Sequence, residues 1–148
     1  MDDEARHLLR HLLATIAFRA GVCLREAPDG FADFQAGAGV RTPAELVRHL
    51  SGLMGFGSRI LCGGERVALP DLPWQQELSR LGEVMAALDG VLATAPLQSQ
   101  DVDAALQGPL ADALTHVGQL AMLRRLAGSP MQGANYPRAE IREGKLAL

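Results

Sequence analysis

Thr42-Pro43-Ala44-Glu45-Leu46-Val47-Arg48-His49-Leu50-Ser51-Gly52-Leu53 reads as the opening turns of an α-helix, and the rest of the chain falls into place around it. Thr42 is a good N-cap and Pro43 takes the first helical position, where a missing N–H costs nothing. Glu45 closes a capping box three residues after the cap. Leu46, His49, Leu53 and Phe56 recur on one face, so the His49 ring is expected to point inward. The helix should run to about Leu61 and stop at Gly63-Gly64. Gly52, Gly55 and Gly57 inside it each cost up to about 1 kcal/mol relative to Ala, which is usually tolerated where a backbone or ligand must come close.

Upstream, Leu9, Leu12, Leu13, Ile16, Ala20 and Leu24 mark an amphipathic helix from about Asp3 to Arg25, stopped by Ala27-Pro28-Asp29-Gly30. The segment from there to Arg41 is too long for a tight turn. It reads as a crossover pinned by Phe31 and Phe34. Downstream, residues 65–71 form a second linker, and Pro73 begins a third helix carrying Trp74, Leu81, Met85 and Leu88 that ends before Pro96. Residues 97–108 form a polar connection with a short helical turn at Val102–Leu106. Gly108-Pro109 then opens a fourth helix with the stripe Asp112, His116, Gln119, Leu120, Leu123 and Leu126, ended by Gly128-Ser129-Pro130. Residues 129–148 read as an extended tail docked through Tyr136. The expected fold is all-α: a four-helix bundle with a long crossover between helices 1 and 2, in a single domain over 1–148.

Composition agrees. Of 148 residues, 48% are hydrophobic but only 4% aromatic, so Leu, Ala, Val and Met must fill the core, which favours helix on helix over a β-sandwich. The net charge of −3 and scattered arginines offer no basic footprint, so no nucleic-acid partner is expected. No apolar run approaches the ~20 residues of a membrane span, and no membrane association is expected. The acidic start Met1-Asp2-Asp3-Glu4 lacks the order of a signal peptide, which makes a cytoplasmic location the expectation. Cys23 and Cys62 lie in apolar helical settings and read as buried reduced thiols. His7 and His11 flank the first stripe and read as surface histidines.

Chemistry concentrates in Asp112-Ala113-Leu114-Thr115-His116-Val117-Gly118-Gln119. Residues at i and i+4 of a helix sit ~5–6 Å apart at Cβ and point the same way. Asp112 and His116 therefore share a face, and His49 on the second helix offers a third group. Each has an ordinary explanation alone, His49 as a core histidine and Asp112 as a first-turn carboxylate that complements the helix dipole. Together they need partners, because an unpaired buried polar group costs ~1–3 kcal/mol. A divalent ion held by His49, Asp112 and His116 would satisfy all three. Glu45 is a weak alternate ligand or supporting base, and Gln119 a supporting or orienting group one turn beyond.

The order of these residues resembles the DinB-like, or YfiT-like, family of four-helix-bundle metalloproteins. In that family a histidine on the second helix joins an H-x-x-x-H pair on the fourth, followed by Gly-Gln and Leu-Arg-Arg-x-x-Gly. The matching stretches are Glu45-Leu46-Val47-Arg48-His49 and His116-Val117-Gly118-Gln119, continuing through Leu123-Arg124-Arg125 to Gly128. One departure is that Asp112 stands where the family has the first histidine of the pair, which makes the set two His and one Asp. Such a set suits Zn²⁺, Ni²⁺, Mn²⁺ or Fe²⁺. The resemblance implies a metal-dependent hydrolase, or a transferase or isomerase using a low-molecular-weight thiol, acting on a small-molecule substrate. The alternative is a non-catalytic bundle that binds a partner or small ligand, with the triplet purely structural. Bundles of this size with apolar outer stripes often pair, so a homodimer is a further expectation.

Overall fold

The capping box forms: Glu45 N–H donates to Thr42 Oγ1 at 3.2 Å and Thr42 N–H donates to Glu45 Oε2 at 2.7 Å. It starts α2 at Pro43, and the helix runs Pro43–Cys62. This computed structural model describes residues 2–148. The other long helices are α1 (Asp2–Leu24), α3 (Trp74–Thr94) and, after a short α4 (Ser99–Ala105), α5 (Ala111–Leu126). There is no strand among the described residues. The fold is all-α, and the connection between α1 and α2 carries one 3₁₀ turn at Phe31–Asp33.

α2 packs chiefly on α3, α1 bridges α3 and α5, and α5 closes onto α2. Leu13, Ile16, Leu50, Met85, Leu88 and Leu120 are among the fully buried side chains between them. Each contributes about 1.5–3 kcal/mol relative to exposure. Phe31 is buried and Phe34 packs against the core, so both rings hold this connection onto the bundle. By length and composition alone, Asp3–Leu24 of α1 is a weak candidate span, against the expectation that no apolar run is long enough. Half of that stretch is buried inside the bundle, so its apolar character has an internal partner.

The junction into α5 is not a simple helix start. α4 continues through Leu106–Leu110 as a π-type segment, broken at Gly108 (φ −91°, ψ −105°). Pro109 lacks an N–H and disfavours helical backbone at the residue before it, so the kink falls there. Gly57 of α2 makes room for this corner. A Cβ on it would meet Leu88 Cδ2 at 3.2 Å and Pro109 Cγ at 3.6 Å. The regular turns that follow place Asp112 at the N-terminus of α5.

Buried charges tie the loops down. Glu77 is 0% exposed and accepts from Arg48 Nε at 3.2 Å and from Leu72 N–H at 3.1 Å. It also pairs with Arg80, which donates to Pro70 O at 2.9 Å, so the second linker is clamped between α2 and α3. Arg124, in the Leu-Arg-Arg stretch, donates to Cys23 O at 2.9 Å and Arg25 O at 3.0 Å. It thereby satisfies carbonyls that the end of α1 leaves without helical partners. The tail docks more widely than through Tyr136, which stacks edge-on against Phe18 under Arg19. Glu143 pairs with Arg10 at 2.7 Å, and Leu146 and Leu148 pack on the core.

Two local expectations are corrected. Cys23 is buried, and burial pushes its thiol pKa up against the nearby Arg124 and Arg125. Cys62 is exposed, because it is the last residue of α2 and the chain turns away at Gly63 (φ +75°). Phe56 is 45% exposed rather than inward. The row His49, Gly52, Phe56, Arg59 lies beside the row Leu46, Leu50, Leu53, Gly57, and it is the second row that enters the core.

Candidate metal centre

α2 and α5 bring His49, Asp112 and His116 together, with one ligating atom from each lying within 4.8 Å of the others. His116 Nε2 stands 3.3 Å from Asp112 Oδ1, and His49 Nε2 stands 3.6 Å from Asp112 Oδ2. The two imidazoles meet edge to face with centroids 4.6 Å apart. The cluster lies at the solvent edge of the α2–α5 seam rather than on the bundle axis. The His116 side chain is 9% exposed, His49 34% and Asp112 46%.

Gln119 sets the chemistry of His116. Its Oε1 is 2.8 Å from His116 Nδ1, and an amide oxygen only accepts, so Nδ1 carries the hydrogen. Nε2 then faces the Asp112 carboxylate, an arrangement that a cation or a proton between them would satisfy. Thr115 Oγ1 lies 2.7 Å from the Asp112 carbonyl and 3.3 Å from Oδ1, which steadies the carboxylate. Glu45 takes no part in the cluster, because its carboxylate is committed to the cap at Thr42.

Electrostatics keep His49 and Asp112 in ligand-ready form. Burial is the main cause that holds His49 below the usual imidazole range, and Arg41 and His116 push the same way against Asp112. Burial acts to raise Asp112, but His116, the Thr115 hydroxyl and His49 outweigh it, and the carboxyl stays below its usual range. Near neutral pH the site therefore presents an uncharged His49 and an ionised Asp112.

Each histidine approaches a different oxygen of the Asp112 carboxylate. A tetrahedral centre with bonds of ~2.0–2.1 Å has ligand atoms about 3.3–3.4 Å apart, close to the two histidine–carboxylate separations here. The group could hold a metal ion by geometry and by donor type. His7 and His11, the other histidine pair, stack on each other at 5.9 Å on the far side of the sequence, where His7 meets Glu143 on an exposed surface. A groove of about 970 Å³ opens beside His49, between the outer row of α2 and the second linker. The linker's contribution to that groove has no periodic signal, so sequence reading missed it. No family model, curated protein or solved structure matches the chain.

Proposed function

We propose that this chain is a divalent-metal-binding bundle of DinB-like kind that acts as a metal-dependent hydrolase or a transferase using a low-molecular-weight thiol. The observation that carries the reading is the convergence of His49, Asp112 and His116 from two helices, with Gln119 holding His116 in the tautomer that aims Nε2 at the carboxylate. The donor set suits Zn²⁺, Ni²⁺, Mn²⁺ or Fe²⁺. Three protein donors leave an open position, and an ion there would act as a Lewis acid that polarises an electrophile and acidifies a water or thiol. Asp112 supplies negative charge to balance the cation. His49, half-buried, borders both the centre and the groove from which a small molecule would approach.

The test is elemental analysis after reconstitution with zinc or nickel. The expected result is about one ion per chain and a raised melting temperature, since a ligand of the native state alone stabilises it. His116→Ala loses both. Reconstituted wild type with no bound ion overturns the reading.

A second reading is favoured by the half-exposed Asp112 and by apolar surface at Val40, Met122 and Leu126, which border a hollow of about 560 Å³. In it the triplet is a hydrogen-bond network, and the bundle binds a partner, a small ligand or a second copy of itself. It predicts that zinc and chelators leave the melting temperature unchanged.

A further inference from the structure

The groove beside His49 has a composition of its own. His49, Gly52, Phe56 and Arg59 of α2 form one wall. The linker forms the other by doubling back along the helix, so that a Cβ on Gly52 would meet Leu69 Cδ1 at 3.7 Å. Between these walls lie Leu53, Phe56, Val67, Leu69 and Val84, an apolar lining. Its volume of about 970 Å³ lies at the upper end of small-molecule sites.

Cations border this apolar space. Arg48 is already committed to Asp71 at 2.8 Å and to Glu77. Arg41, Arg59 and Arg66 also line the groove, and among the described residues none of them forms an ion pair with a carboxylate. Glu45 is taken by its cap, which leaves Glu65 as the acidic lining residue facing three arginines. The excess is positive in a chain whose net charge is −3. Arg59 and Arg66 both line the groove, and Arg59 lies in the last turn of α2. His49 lies ten residues earlier, about 15 Å along the helix.

We infer that the groove binds an elongated apolar carboxylate. Arg59 and Arg66 hold the carboxylate, Phe56, Val67 and Leu69 cover its hydrocarbon body, and its far end points along the groove toward His49. A guanidinium presents a planar fork that matches a carboxylate, and the contact strengthens beside apolar walls. Midway along the groove Gly52 lets Leu69 pack close to α2, so a large side chain there would displace Leu69 into the apolar space. As a substrate class this assignment rests on the metal reading above, although the groove's affinity does not need the ion.

The experiment is titration calorimetry with 4-phenylbutyrate and its uncharged counterpart 4-phenylbutanamide, on metal-free and zinc-treated protein, with zinc uptake measured in the same samples. The acid is expected to bind at least about tenfold more tightly than the amide, as charge-assisted pairing implies. The double variant Arg59→Gln, Arg66→Gln should remove that preference. Gly52→Leu should abolish binding of both probes while circular dichroism shows the wild-type helix content. Equal affinity for acid and amide, an unchanged double variant, or no binding by the wild type overturns the inference. Phenylbutyrate binding without zinc uptake sinks the metal reading and leaves the groove standing, and zinc uptake without phenylbutyrate binding does the reverse.

Discussion

His49 Nε2 on α2 faces Asp112 Oδ2 on α5 at 3.6 Å, so an imidazole and a carboxylate from helices far apart in the chain meet across one seam. Both groups have pKa values below their ordinary ranges, His49 chiefly through burial. For each, the unfolded state takes up protons first as pH falls. Stability is therefore retained above the ordinary imidazole value and declines on acidification below it, then again below the ordinary carboxylate value. In metal-free protein the His49 ring should titrate, by NMR, below 6.5, the ordinary imidazole value. Arg41→Gln should raise that midpoint without restoring the ordinary value, because burial is the larger cause. A midpoint at or above 6.5 contradicts the geometry described.

Gln119 lies outside the ligand set yet orients His116. Gln119→Leu should lower zinc affinity by ~10–100-fold, the usual consequence of losing a partner behind a ligating histidine. Competition with a chromophoric chelator measures it. Since Gln119 is exposed, the melting temperature of the apo protein should stay within about 1–2 °C of wild type, a change of under 0.5 kcal/mol.

Two glycines of α2 should respond in opposite directions. Around Gly52 a Cβ meets an ordinary van der Waals contact, so Gly52→Ala gains helix propensity and about 0.5–1 kcal/mol of stability. Gly57 is pressed against Leu88 and Pro109, and Gly57→Leu overpacks that corner at a cost of about 1–3 kcal/mol. Urea unfolding of both variants tests the pair, and the same sign for both would refute the packing described.

Glu77 is a buried carboxylate held by Arg48, Arg80 and the Leu72 N–H. Removing it in Glu77→Ala leaves two arginines without their central partner, and such a break costs about 3–5 kcal/mol. Thermal unfolding provides the measurement. Limited proteolysis should then cut first within residues 63–73, the linker that this cluster clamps. A variant as stable and as resistant as wild type would mean that the cluster contributes little.

Much of the helical plan is written locally. Thr42, Pro43 and Glu45 specify the start of α2 through bonds within one turn, and the apolar spacing of α1 and α3 marks helices without reference to any neighbour. The i, i+4 relation of Asp112 and His116 is equally local, so the candidate ligands were legible as residue types at a spacing. Periodicity defines rows on a helix but not which row meets which partner. That choice belongs to packing. Tertiary structure alone set Leu50 inward while turning Phe56 toward a groove, and kinked the chain at Gly108 so that α5 carries Asp112 up to His49. It also buried Glu77 against Arg48 of α2 and folded an aperiodic linker back along α2. These contacts join residues tens of positions apart, and they form because they bury apolar area and satisfy charge across the whole bundle, a balance that no local pattern records.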